Sequence, residues 1–98
     1  MSAAVAAALR AARGHLVEFG WQQGKQGGHG EPCCAMGAIT AAVTSGDVYH
    51  GARDALAAQL VVETGKRWIA DWNDAPGRTF AEVLDLLDKA IAAEEARP

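Results

Sequence analysis

The chain has 98 residues, enough for one domain, and half of them are apolar, with alanine the largest share. A formal net charge of −3, with the acids gathered toward the C-terminal third, argues against nucleic acid as a general partner, because phosphate binding needs clustered Lys and Arg. No stretch approaches the roughly 20 apolar residues needed to cross a bilayer. Alanine favours helix but contributes little buried area. The few large side chains, Phe19, Trp21, Trp68, Trp72, Phe80 and the leucines, are therefore expected to anchor the fold.

In chain order, Val5, Leu9, Ala12, Leu16 and Phe19 recur at steps of three and four and predict a helix over Ser2–Phe19. Ser2 can cap its start and Gly20 can end it in a left-handed turn. Arg10 and Arg13 interrupt this apolar stretch and no basic segment precedes it, so it reads as part of the mature protein and not as a signal peptide. His15, on its alanine-rich side, is expected to face solvent or pair with Glu18.

Residues 20–31 form a glycine-rich loop containing GWQQGKQGGHG. It lacks both the G-x-x-x-x-G-K-[ST] spacing and a preceding strand, so it reads as a mobile connection with Trp21 as its one anchor, not as a phosphate loop. Pro32 suits a first helical turn and predicts a second helix from there to about Thr44. Ser45-Gly46-Asp47 breaks it. Asp47 can cap a third helical region carrying Val48, Ala52, Leu56 and Leu60, with Gly51 a candidate interruption and Gly65 its end. Lys66–Trp72 reads as a short helix with Trp68, Ile69 and Trp72 toward the core.

Residues 73–78 hold the turn sequence Asn73-Asp74-Ala75-Pro76-Gly77 and Arg78, which can pair with Asp74 or Asp71. Thr79 and Glu82 have capping-box spacing. The last helix is expected to bury Phe80, Val83, Leu84, Leu87 and Ile91 and to expose Glu82, Asp85, Asp88 and Lys89. No strand or internal repeat is evident. The sequence therefore predicts an all-α, compact single-domain bundle of four to five short helices over residues 1–98, with a Gly-rich loop after the first.

Two adjacent cysteines, Cys33 and Cys34, stand at the start of the second predicted helix. Neighbouring cysteines rarely bridge each other, so no stabilising disulfide is expected and a reducing, cytoplasmic location follows. A thiol at a helix N-terminus can be acidic enough to act as a nucleophile. Cys34, His50 and Asn73 occur in the order Cys-His-Asn, with Asp74 an alternative orienting group, and form the catalytic candidates. The competing interpretation is packing. Cys34, Gly37, Ala38 and Ala41 fall on one ridge of small residues that would admit a neighbouring helix, leaving Cys33 as the exposed thiol. His29-x3-Cys33-Cys34 with a distant His50 offers soft ligands. Adjacent cysteines cannot easily both meet a tetrahedral ion, and no C-x-x-C or H-x3-H pair exists, so neither a metal nor a cofactor is expected. Trp21, Trp72, Asn73, Asp74 and Arg78 combine aromatic rings with polar groups, a composition usual at interaction hot spots, and are the binding candidates.

Gly20-Trp21, Cys34-Ala35-Met36-Gly37-Ala38-Ile39, Trp72-Asn73-Asp74 and Arg78-Thr79 followed by Glu82-Val83 together resemble a family of small proteins of unknown function from actinobacteria and their phages. Its pattern is G-W, C-x-x-G-A-[IL] and W-N-D, and the likeness runs from Leu9 to about Ile91. The resemblance implies a helical domain in a bacterial or phage-infected cytoplasm, makes Cys34 the family cysteine, and implies no activity. On this footing the leading expectation is a non-enzymatic protein-interaction module, phage-encoded and acting on a host factor, or self-associating as a homodimer. The alternatives are a thiol-dependent enzyme or small-ligand binder at Cys34, and a helix-turn-helix regulator turning at Ser45-Gly46-Asp47, whose following helix supplies only Arg53 as a base.

Overall fold

The structure is a computed structural model that describes residues 2–97. Met1, Pro98 and the Ser2 side chain lie outside the described residues, and the cap expected at Ser2 lies with them. Five helices follow one another: α1 (Ser2–Phe19), α2 (Ala35–Ala42), α3 (Gly46–Thr64), α4 (Ile69–Asn73) and α5 (Phe80–Glu95). Among the described residues there is no strand, only an isolated parallel bridge between Trp21 and Cys33. No helix among them is long and apolar enough to cross a membrane.

Helix α1 packs against α5, α2 and α3, and α3 also packs against α5. Leu9 and Leu16 of α1, Ile39 of α2, Leu56 and Leu60 of α3, and Val83 and Leu87 of α5 are fully buried at the centre. The 3.6-residue period explains most of this, since the buried positions of α1 and α3 fall on single stripes. On α5 the stripe is turned slightly from the expected one: Leu86 and Ala90 are buried, while Leu84 and Phe80 are half-buried.

The helix ends follow local chemistry. Gly20 ends α1 at φ +105°, its N–H reaching the Leu16 carbonyl at 2.9 Å. Ser45, and not Asp47, caps α3, and Gly65 closes it at φ +77°. Helix α3 runs unbroken through Gly51. A Cβ there would come within 2.8 Å of Val5 Cγ2, so the glycine marks the close approach of α3 to α1 and not an interruption. Thr79 and Glu82 form the expected capping box, with the Thr79 N–H donating to Glu82 Oε1 at 2.9 Å and the Glu82 N–H to Thr79 Oγ1 at 3.2 Å.

Two elements start later than expected, with consequences for the side chains around them. Helix α2 begins at Ala35. Pro32 lies before it in an exposed segment whose next residue, Cys33, pairs with the backbone of residues 20 and 22. Helix α4 begins at Ile69, leaving Trp68 in an extended conformation ahead of it. Ile69 and Trp72, three apart on the helix, are buried together, whereas Trp68, extended ahead of the helix, leaves that face and is 68% exposed.

Candidate functional site

The residues singled out as binding candidates converge, and the centre of their arrangement is Asn73. Its side chain is fully buried between the glycine-rich loop, the start of α2 and the end of α4. The Asn73 Oδ1 accepts from the Trp21 indole N–H at 2.7 Å and from the Ala35 backbone N–H at 3.0 Å. Its amide nitrogen donates to the Gln22 carbonyl at 3.2 Å and to Asp74 Oδ1 at 2.9 Å. One asparagine thus satisfies the first amide of α2 and ties the loop to the turn after α4.

Gln23 and Asp74 extend the tie. The Gln23 side-chain amide donates to the carbonyls of Asn73 and Ala75 at 3.0 and 2.9 Å, and the Gly24 N–H donates to Asp74 Oδ1 at 2.9 Å. Trp21 stacks on Phe80, with ring centroids 6.1 Å apart and planes 3° from parallel. Arg78 lays its guanidinium 4.2 Å from the centre of the Trp72 ring, donates to the Trp72 carbonyl at 2.8 Å and pairs with Glu82 instead of Asp71 or Asp74. The polar atoms of Trp21, Asn73 and Asp74 are therefore largely engaged with the chain itself. The glycine-rich segment, expected as a mobile connection, is bonded along its length to α1, to Cys33 and Cys34 ahead of α2, and to the turn after α4.

The opposite end of the loop is held by His15. Expected to face solvent, it is buried at 6% exposure, and its Nε2 accepts the Gly30 N–H at 3.0 Å. Its ring lies 4.7 Å from Phe19 and 6.0 Å from His29. Its Nδ1 is buried without a hydrogen-bond partner among the described residues.

Both thiols are buried, which corrects the expectation that Cys33 is exposed. Cys33 is fully enclosed, its sulfur facing the Gly28 and Glu31 carbonyls at 3.5 and 3.3 Å. Burial, and secondarily Cys34 and Glu31, push its pKa upward from 9.0. Cys34 caps α2, its sulfur accepting from the Gly37 N–H at 3.3 Å. The expected seam of small residues against another helix takes a different form. A Cβ at Gly37 would overlap the Gln26 carbonyl, so the loop backbone, not a helix, rests on this glycine. His50 lies exposed on α3 with its ring against Tyr49, and among the described residues no hydrogen bond joins it to Cys34. Asn73 does sit beside Cys34 in space, through its bond to Ala35, but both of its side-chain groups are already engaged. Among the described residues no three His, Cys, Asp or Glu side chains gather as a set able to hold a metal ion.

Helix α2, the short link Val43–Ser45 and α3 succeed one another as a helix-turn-helix would, but α3 carries Asp47, Asp54 and Glu63 and its one base, Arg53, pairs with Asp54.

A broad concavity lies elsewhere, between α3, α4 and the side of α2. It has a volume of about 690 Å³, is lined by Met36, Ala57, Ala58, Val61 and Ile69, and is edged by Arg53, Asp54, Arg67, Trp68 and Asp71. Sequence reasoning assigned Trp68 to the core and so passed over this groove. The available signal was the exposed-type pair Lys66-Arg67 directly before the indole.

Fold and site define a small all-α protein whose glycine-rich loop is clasped by a buried asparagine, with an open apolar groove on another face. A family model matches residues 1–93, and the chain belongs to that family, described as Family of unknown function (DUF6197). No curated protein and no solved structure matches the chain.

Proposed function

We propose that this protein is a non-enzymatic protein-interaction module whose working surface is the groove beside Trp68. The observation that carries this reading is the indole itself: a tryptophan 68% exposed, at the lip of an apolar depression, in a chain that buries Trp72 and partly buries Trp21. Tryptophan is a preferred hot-spot residue, and leaving one in water without a partner forgoes its burial free energy. The Asn73 clasp then serves as scaffold. It fixes α2 and α4, the two elements that frame the groove together with α3, and the binding role first expected of Trp21, Trp72, Asn73, Asp74 and Arg78 becomes one of holding that frame. The resemblance to small proteins of actinobacteria and their phages favours a cytoplasmic setting and a host protein as partner.

The test is affinity capture from an actinobacterial lysate, run in parallel with the wild-type chain and Trp68→Asp. A protein retained by the first and lost by the second is the expected result. Failure to retain any protein, combined with a strictly monomeric state in sedimentation, would overturn the reading.

A further inference from the structure

The rim of the groove carries a charge imbalance that bears on what it receives. Six of the chain's cations, Arg10, Arg13, Arg53, Arg78, Lys89 and Arg97, each hold a carboxylate. Lys66 and Arg67, like Lys25 of the glycine-rich loop, hold none among the described residues, and they alone stand directly before the exposed indole. In the main groove Asp54 is engaged by Arg53 and Asp71 offsets Arg67, while Lys66, which lines the second hollow on the other side of Trp68, adds a further positive charge. The Trp68 end is thus locally positive on a chain whose net charge is −3.

Shape adds to charge. Trp68, Arg67 and Asp71 line both the main groove and a second hollow of about 380 Å³ that reaches Lys66, Gly65 and Trp72. The indole therefore stands between two depressions, and the basic pair belongs to this divide. A compact molecule would fill one depression and leave the other open, whereas a chain segment can cover both. The protein's own acidic helix is a poor match, because Glu82, Asp85 and Asp88 of α5 already hold Arg78, Lys89 and Arg13.

We propose that the groove takes an acidic, apolar-anchored peptide segment of another protein, its bulky side chains flanking the Trp68 indole and its carboxylates meeting Lys66 and Arg67. This rests on the interaction reading above and names the chemistry of the partner. Burial of the indole supplies the affinity, and the basic pair sets the preference for acid and the approach of the segment.

Selection of random peptides displayed on phage against the immobilised full-length chain tests this. The enriched peptides are expected to combine aromatic or aliphatic residues with Asp or Glu. A synthesised winner should shift the Trp68 fluorescence to the blue, bind about tenfold more weakly to Arg67→Glu, and lose binding to Trp68→Ala. Both positions are exposed, and an unchanged circular dichroism spectrum will verify that the variants fold. Enrichment of apolar peptides indifferent to acid, or of basic ones, would overturn the acidic class while leaving the interaction reading standing. An absence of any enriched peptide would overturn the proposal outright. In that case, self-association abolished by Trp68→Ala would assign the groove to a second copy of the chain, and saturable quenching by a compact aromatic acid would assign it to a small molecule.

Discussion

The Trp21 indole donates a 2.7 Å hydrogen bond to Asn73 Oδ1 across 52 residues of sequence. The same oxygen receives the first amide of α2, so one side chain joins three segments that are far apart along the chain. Replacing Asn73 by alanine leaves the buried Ala35 N–H and the indole N–H without partners, at about 1–3 kcal/mol each. The expected loss is about 3 kcal/mol of unfolding free energy in urea. Trp21→Phe, which removes that bond and keeps only a smaller aromatic ring beside Phe80, should cost about 1 kcal/mol for the bond itself. A cost below about 1 kcal/mol for Asn73→Ala would show that the clasp adds little to the fold.

Two glycines separate propensity from packing. Gly14 is exposed in the middle of α1 with nothing within 4 Å of an added Cβ, so Gly14→Ala should stabilise the protein by about 0.5–1 kcal/mol. Gly37 also lies in a helix and would gain as much from propensity, but its Cβ would overlap the Gln26 carbonyl. Gly37→Ala is expected to lower the melting temperature because the loop backbone must move away. Equal stabilisation by the two substitutions would contradict the close packing of loop on α2.

The three tryptophans should differ by environment. Trp72, buried and covered by Arg78, is expected to cost about 3–5 kcal/mol on replacement by alanine. Trp68→Ala should stay within about 0.5 kcal/mol of the wild type, as an exposed position does. Thermal melts of the two variants side by side decide the matter.

The acid side of the stability profile should carry the signature of Glu82. The Thr79 amide hydrogen bond, foremost, holds its carboxyl below the usual 4.5, with the Thr79 hydroxyl and Arg78 adding to it against desolvation. A depressed folded value means that the stabilisation is fully present above about pH 4.5 and is lost as the pH falls through the folded value. Wild type and Glu82→Gln should therefore differ most at neutral pH and converge in acid, as read from urea midpoints across the pH range.

Neither thiol should react readily in the native state. Cys33 is enclosed with its pKa raised, chiefly by burial, and the Cys34 sulfur is engaged at the α2 cap. Iodoacetamide at neutral pH is expected to modify both cysteines in denaturant and neither without it. Rapid native labelling of Cys34 that slows in His50→Ala would instead revive the thiol-enzyme reading.

Much of the fold was legible because it rests on periodicity and on caps that act locally. The stripes of α1 and α5, the Gly20 and Gly65 terminators and the Thr79–Glu82 box all involve residues within a turn or two of one another. The convergence of Trp21, Cys34-Ala35 and Trp72-Asn73-Asp74 was legible as a set of motifs but not as a mechanism, since the bonds that unite them span about half the chain. The misplaced residues share that origin. His15 is buried because Gly30 reaches it from the loop, and Cys33 because the loop folds over it. Trp68 is exposed because α4 starts one residue after it, a boundary decided by tertiary packing and not by propensity.

The contact between Gly37 and Gln26 also bears on how the chain can be engineered. A run of five glycines in eleven residues invites use as an insertion point for a tag or reporter, yet this run is held in register at both ends, by His15 and by Asn73. One added residue between Gln22 and Gln26 would displace the carbonyl that seats on α2 and draw the Gly24 amide away from Asp74. The permissive site is the link between α2 and α3 ahead of the Ser45 cap, at exposed Thr44, where an inserted segment leaves both helices and the cap intact.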